Sequence, residues 1–152
     1  NGFVKITINF KNIIVNILLK YKCMFNFTNF LIVGFAAAIG AWLRWIIGYL
    51  LYVLYPGLPL GTLAVNLLGG FLMGLSIAYF QATASTLSEE LKLFINIGFL
   101  GGLTTFSAYT SDIFSLLQKG EVQTSFLFLI GHVFGALIMA YIGWYVIIFL
   151  MD

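Results

Sequence analysis

Four apolar stretches, each at least about 20 residues long and joined by short polar connections, constrain this chain more than anything else in it. A run of that length is what an α-helix needs to cross the hydrocarbon core of a bilayer, roughly 30 Å thick. The stretches run from about Asn29 to Tyr52, Leu60 to Phe80, Leu91 to Leu117 and Ser125 to Met151. The first ends before YPGLP, where Pro56, Gly57 and Pro59 predict a turn. The second is followed by QATASTLSEELK, in which Ser88 reads as an N-cap and Glu89 and Glu90 as an acidic first turn. Lys119-Gly120-Glu121 separates the last two. Of the 152 residues 62% are hydrophobic and 8% charged, against about 25% charged in a soluble domain. The solvent for such a surface is lipid, and the predicted class is an all-α membrane protein.

The formal charge of +2 is misleading. Lys5, Lys11, Lys20 and Lys22 all fall in the opening segment, after which the basic residues are Arg44, Lys92 and Lys119. The acids there are Glu89, Glu90, Asp112, Glu121 and Asp152, so the body is slightly acidic, against a nucleic-acid partner. Residues 1–23 have two readings: a basic extension lying on the membrane, or translated sequence upstream of a true start at Met24. The second is preferred, leaving residues 24–152 as one four-helix domain. Cys23 is the one cysteine, so no internal disulfide is expected.

With four spans, both termini and the middle connection share one side of the membrane. From Met24 onward Lys92 stands there, against Lys119 on the other side. A chain without charge bias is free to insert in both orientations. Two opposite copies can then pair about an axis in the membrane plane. Small residues recur where helices in lipid pack: Ala37, Gly40, Ala41 and Gly48 in the first span, Gly69, Gly70 and Gly74 in the second, Gly131 and Gly135 in the fourth. Four helices of this size enclose little, so an oligomer is expected.

Polar groups inside a span are expensive and point to function. Arg44 lies within the first span, close enough to its end to snorkel. Asn66 is mid-span and offers two N–H donors. Asp112 and His132 lie in the third and fourth spans, and no second ligand stands beside His132 at metal spacing. No HExxH, phosphate loop or nucleophile elbow is present, so an enzyme is not expected. The strongest signal is GGLTTFSAYTSD, residues 101–112. Gly101 and Gly102 are expected to unwind the third span near its middle, freeing carbonyls that lipid cannot satisfy. Thr104, Thr105 and Ser107 add hydroxyls, and Phe106 and Tyr109 add ring edges, which are electropositive. Weak distributed donors of this kind suit a permeating anion. A glycine kink stabilised by local Ser and Thr hydrogen bonding explains the same letters, and both readings stand open on this segment alone.

Three segments together resemble the Fluc (CrcB) family of fluoride channels: GAWLRW (40–45), PLGTLAVNLLGGFLMG (59–74) and GFLGGLTTFSAYTSD (98–112). The likeness covers nearly everything from Met24 onward, in the family's order. It implies four transmembrane helices per subunit, the third broken near Gly101–Thr104, and an antiparallel dual-topology dimer in the bacterial inner membrane. It further implies that backbone carbonyls of Gly101 and Thr104 from both subunits hold a structural Na⁺. Phe106 and Tyr109 would line fluoride pores, Asn66 would donate to fluoride near a pore mouth, and Arg44 would stand near the vestibule. Thr105 and Ser107 would form the polar surround.

Two departures from the family pattern bear on this. The second pore aromatic is usually Phe, and here it is Tyr109. A polar row at intervals of four along the fourth span reads here as Phe128, His132, Ala136 and Ala140. Homodimer and heterodimer with a paralogue both follow from the resemblance, the balanced charges favouring the homodimer. The competing functions are a small proton-coupled exporter, for which Asp112 would have to serve, and a non-conducting subunit.

Overall fold

The computed structural model describes residues 25–83 and 88–151; residues 1–23 and Met24, to which the leader reading refers, lie outside them. Helix α1 spans Phe27–Leu54. It opens on Asn26, whose side-chain oxygen accepts the Asn29 amide at 2.7 Å, and it closes at a turn in which Gly57 takes φ +100°. Helix α2 spans Leu60–Ala82. The third span, Glu89–Gln118, is in two pieces. The first, α3, covers residues 89–103 and contains a π-helical stretch, Leu93–Phe99. The second, α4, is Phe106–Gln118. Gly120, at φ +79°, turns the chain into α5, Val122–Met151, which carries a second π-helical stretch at Gly131–Gly135. All four spans are long and apolar enough to cross a membrane, and among the described residues there is no strand.

The expected spans match these helices closely, and side-chain caps account for the earlier starts of α1 and α3. Ser88 does cap α3, accepting the Leu91 amide at 3.3 Å, and Lys92 pairs with Glu89 one turn earlier at 3.0 Å. Caps draw polar residues into a helix end that a hydropathy window excludes.

Backbone-to-backbone approach holds the bundle together. Helix α2 crosses α5 so closely that a Cβ on Gly70 or Gly74 would strike the main chain at Ala136 or Ala140, and one on Gly143 would strike Phe71. Helix α1 packs on α3 in the same way: Gly98 lies against Val33 and Ala36, Gly102 against Ala37, and Gly40 against the backbone at Phe99 and Leu103. Lipid supplies no hydrophobic drive between helices, so dispersion at short axial distance is the main attraction and small residues permit it. Val65, Leu100 and Leu103 form the buried centre, with Leu43, Ile47 and Phe99 packed around it. Ser76 adds a polar clasp by donating to the Asn96 side chain.

One expectation is corrected. Gly101 and Gly102 do not unwind the helix: both are helical, within Leu100–Leu103. Glycine's freedom is unused there, and Gly102 is small because Ala37 lies against it. Ala136 and Ala140, the last two positions of the row read along the fourth span, lie against α2. Gly102→Ala is therefore expected to destabilise the fold by about 1–3 kcal/mol, the usual cost of overpacking. Gly34→Ala, where no atom lies within 4 Å of the new methyl, is expected to leave the unfolding midpoint in detergent unchanged or slightly raised.

Candidate functional site

The third span breaks at two threonines. Thr104 (φ −79°, ψ 158°) and Thr105 (φ −151°, ψ 126°) are extended, and the helix resumes at Phe106. Neither torsion pair is strained for an L residue. Hydrogen bonding from α2 explains the interruption. In a continuous helix the Thr105 amide would bond the Gly101 carbonyl, and the Ala108 amide that of Thr104. Here Thr105 N–H donates to Asn66 Oδ1 at 2.8 Å, and Ala108 N–H to Thr105 Oγ1 at 3.1 Å. The carbonyls of Gly101 and Thr104 thus lose their ordinary helical partners. Thr104 steadies the preceding turn, its amide and its hydroxyl both donating to the Leu100 carbonyl at 3.0 and 2.9 Å. Its methyl fits over Gly69, where a Cβ would collide with it.

Asn66 is the hub. Besides accepting from Thr105 N–H, its Nδ2 donates to the Thr105 carbonyl at 3.0 Å and meets His132 Nδ1 at 2.9 Å. The Thr105 amide needs an acceptor, which fixes the amide orientation. Both N–H groups are then spent on the Thr105 carbonyl and on His132. Nδ1 of His132 accepts, so the ring proton of the neutral imidazole sits on Nε2. Nε2 is buried and has no hydrogen-bond partner among the described residues. An unmet buried donor costs about 1–3 kcal/mol, against which stands the bond that Nδ1 makes with Asn66.

The aromatic pair follows directly. Phe106 and Tyr109 meet edge to face, centroids 5.1 Å apart at 75°. Tyr109 also lies nearly parallel on His132, at 4.4 Å and 17°. Phe106 is 74% exposed on the chain's own surface, while Tyr109 is half-buried. Gly101, Ser107, Thr110 and Ser111 are exposed as well. A mid-membrane surface carrying hydroxyls and an uncovered glycine backbone does not suit lipid tails. Thr110 and Ser115 turn their hydroxyls back onto the Phe106 and Ser111 carbonyls, at 2.9 Å each.

Of the expected site residues, the fold brings Asn66, Thr105 and Tyr109 together with His132, and sets Phe106 and Ser107 beside them. Arg44 is half-buried on α1, between Gly40 and Gly48 on one stripe. No hydrogen bond or ion pair joins it to another described residue. Asp112 accepts from Thr62 Oγ1 at 2.7 Å and lines a cleft of about 190 Å³ with Tyr52, Pro59, Ser115 and Lys119. Three pairings escaped sequence reasoning: Thr62 with Asp112, and His132 with each of Asn66 and Tyr109. One signal for the first was available. Thr62 and Asn66 stand one helical turn apart on α2, so they face one neighbour, and that neighbour is the polar third span.

The family model described as "CrcB-like protein, Camphor Resistance (CrcB)" matches residues 31–144. The "Fluoride-specific ion channel FluC" of Aromatoleum aromaticum is 50% identical over 119 residues, covering 78% of this chain and 90% of that protein. That of Nitrosospira multiformis is 48% identical over 111 residues, covering 73% and 86%. That of Thiobacillus denitrificans is 45% identical over 123 residues, covering 81% and 98%. Together with the four apolar helices, these matches make the chain a multi-pass membrane protein, and it belongs to the CrcB family.

Proposed function

We propose that this chain is a subunit of a channel that lets fluoride leave a bacterial cell down its gradient, lowering cytoplasmic fluoride and its toxicity. The observation that carries the reading is the break at Thr104–Thr105, followed at once by an exposed aromatic pair and hydroxyls in the middle of a span. Relatives named as fluoride-specific channels support it. In this reading Phe106 and Tyr109 present ring edges to the anion, and Thr105 and Ser107 form the polar surround. Fluoride is small and strongly hydrated, so a narrow path must replace its water with donors, and weak ones allow release. The resemblance implied that Asn66 donates to fluoride, but its N–H groups go to Thr105 and His132, so Asn66 instead shapes the wall near a pore mouth through its hold on Thr105, and Arg44 supplies a positive vestibule.

The exposed mid-membrane face of Gly101, Phe106 and Ser107 calls for cover by a second subunit. The proposed assembly is a homodimer of antiparallel copies in the inner membrane, favoured by the near absence of loop charge bias. The backbone fits the proposed Na⁺. Gly101 and Thr104 are the residues whose carbonyl partners Asn66 and Thr105 divert, and hard carbonyl oxygens suit a hard cation. Bound there, the ion would neutralise carbonyls that lipid cannot.

Fluoride efflux from liposomes containing the purified chain tests the proposal. Fast efflux that persists without a pH gradient is the expected result. Flux strictly tied to protons would mark an exporter using Asp112. No flux from the chain alone would mean a second, different subunit or a silent one.

A further inference from the structure

Tyr109 is held by a ring of contacts that closes through one residue, His132. The imidazole stacks on the tyrosine ring. Its Nδ1 takes an N–H of Asn66, and Asn66 grips both backbone groups of Thr105. Thr105 Oγ1 in turn takes the amide of Ala108, the residue before Tyr109. Three elements, α2, α4 and α5, are joined in this loop. The side chain of Phe106, by contrast, meets the loop through its edge-to-face contact with Tyr109 and is largely exposed.

We infer that His132 is a positioning residue that sets the plane of the Tyr109 ring relative to the helix break, and so decides which part of that ring the permeating ion meets. The inference rests on the channel reading above. An aromatic face repels an anion and its edge attracts one. With the imidazole covering one face of Tyr109, that face is withdrawn from the path and the edge is left to serve. The bond to Asn66 fixes the rotation of the imidazole, and the stack passes that rotation on to the tyrosine. This also gives the unmet Nε2 a reason: a ring is wanted here, with one acceptor at Nδ1, whatever happens at the other nitrogen.

The test uses the full chain in liposomes, with 3-fluorotyrosine introduced at position 109 and its ¹⁹F resonance recorded beside fluoride and chloride fluxes. His132→Asn keeps an acceptor and loses the ring. His132→Phe keeps a ring and loses the acceptor, and His132→Ala loses both. The Asn and Ala variants are expected to lose the upfield shift imposed by the stacked imidazole. Their fluoride flux should fall roughly tenfold, equivalent to about 1.4 kcal/mol on a barrier, and selectivity over chloride should narrow. The Phe variant should fall between these and the unsubstituted chain in both shift and flux. Flux that falls while the resonance stays put would overturn the inference, as would a resonance that moves with flux and selectivity unchanged. If the unsubstituted chain carries no fluoride, it is the channel reading that fails, while the ¹⁹F series still reports whether His132 orients Tyr109.

Discussion

Asn66→Leu is expected to be the most damaging single substitution in the described part of the chain. Leucine keeps the branched four-heavy-atom shape of the asparagine side chain, with somewhat more bulk, and removes three hydrogen bonds at once. The amide and carbonyl of Thr105 and Nδ1 of His132 then lose their partner in a water-poor setting. Buried groups orphaned in this way cost about 1–3 kcal/mol each. Hydrogen bonds between membrane helices average nearer 0.6 kcal/mol, because a chain unfolded within lipid also finds partners. Balancing the two, the loss is on the order of 2–5 kcal/mol, much of the stability of a small domain. It should appear as a lower unfolding midpoint in detergent together with lost fluoride flux. Asn66→Leu protein as stable as the unsubstituted chain would show that the break stands without Asn66.

Phe106→Ile separates function from fold in the opposite way. Phe106 is 74% exposed, and its one aromatic partner among the described residues is Tyr109, so the subunit loses little packing. A β-branched residue in the first helical turn costs only tenths of a kcal/mol. Isoleucine has no electropositive edge to offer an anion. Fluoride flux is expected to drop roughly tenfold to a hundredfold, equivalent to about 1.4–2.8 kcal/mol on a barrier, while yield and unfolding midpoint stay close to those of the unsubstituted chain. Flux at the original level would remove Phe106 from the path.

The spans were legible in the sequence because bilayer thickness acts on every residue of a helix at once, so the signal accumulates over about 20 positions. The anomaly of the third span was legible for the same reason: hydroxyls and paired glycines stand out against leucine. Where the helix parts was not. The amide of Thr105 has two candidate acceptors, Gly101 O on its own helix and Asn66 Oδ1 on α2, and local propensity cannot rank them. Only the placement of α2 decides, through contacts such as Gly69 under Thr104. Gly101 and Gly102 drew the eye as breakers because glycine permits unusual torsions, yet Gly102 serves close approach to Ala37. The surroundings of the fourth-span row were not legible either. Counting by fours assumes a bare α-helix, whereas α5 carries a π-helical stretch at Gly131–Gly135 and turns Ala136 and Ala140 toward α2.

A helix cut in mid-membrane is electrically two-sided. Aligned peptide dipoles leave roughly half a negative charge at the carboxyl end of α3 and half a positive charge at the amino end of α4. Both ends lie at the middle of the Glu89–Gln118 span, where little water screens them. The Gly101 and Thr104 carbonyls stand at the negative end, and Phe106 and Tyr109 occupy the first turns of the positive one. One interruption in the backbone therefore offers opposite potentials within a few residues of each other. An anion beside the aromatic pair is drawn by the helix as a whole as well as by the ring edges it touches.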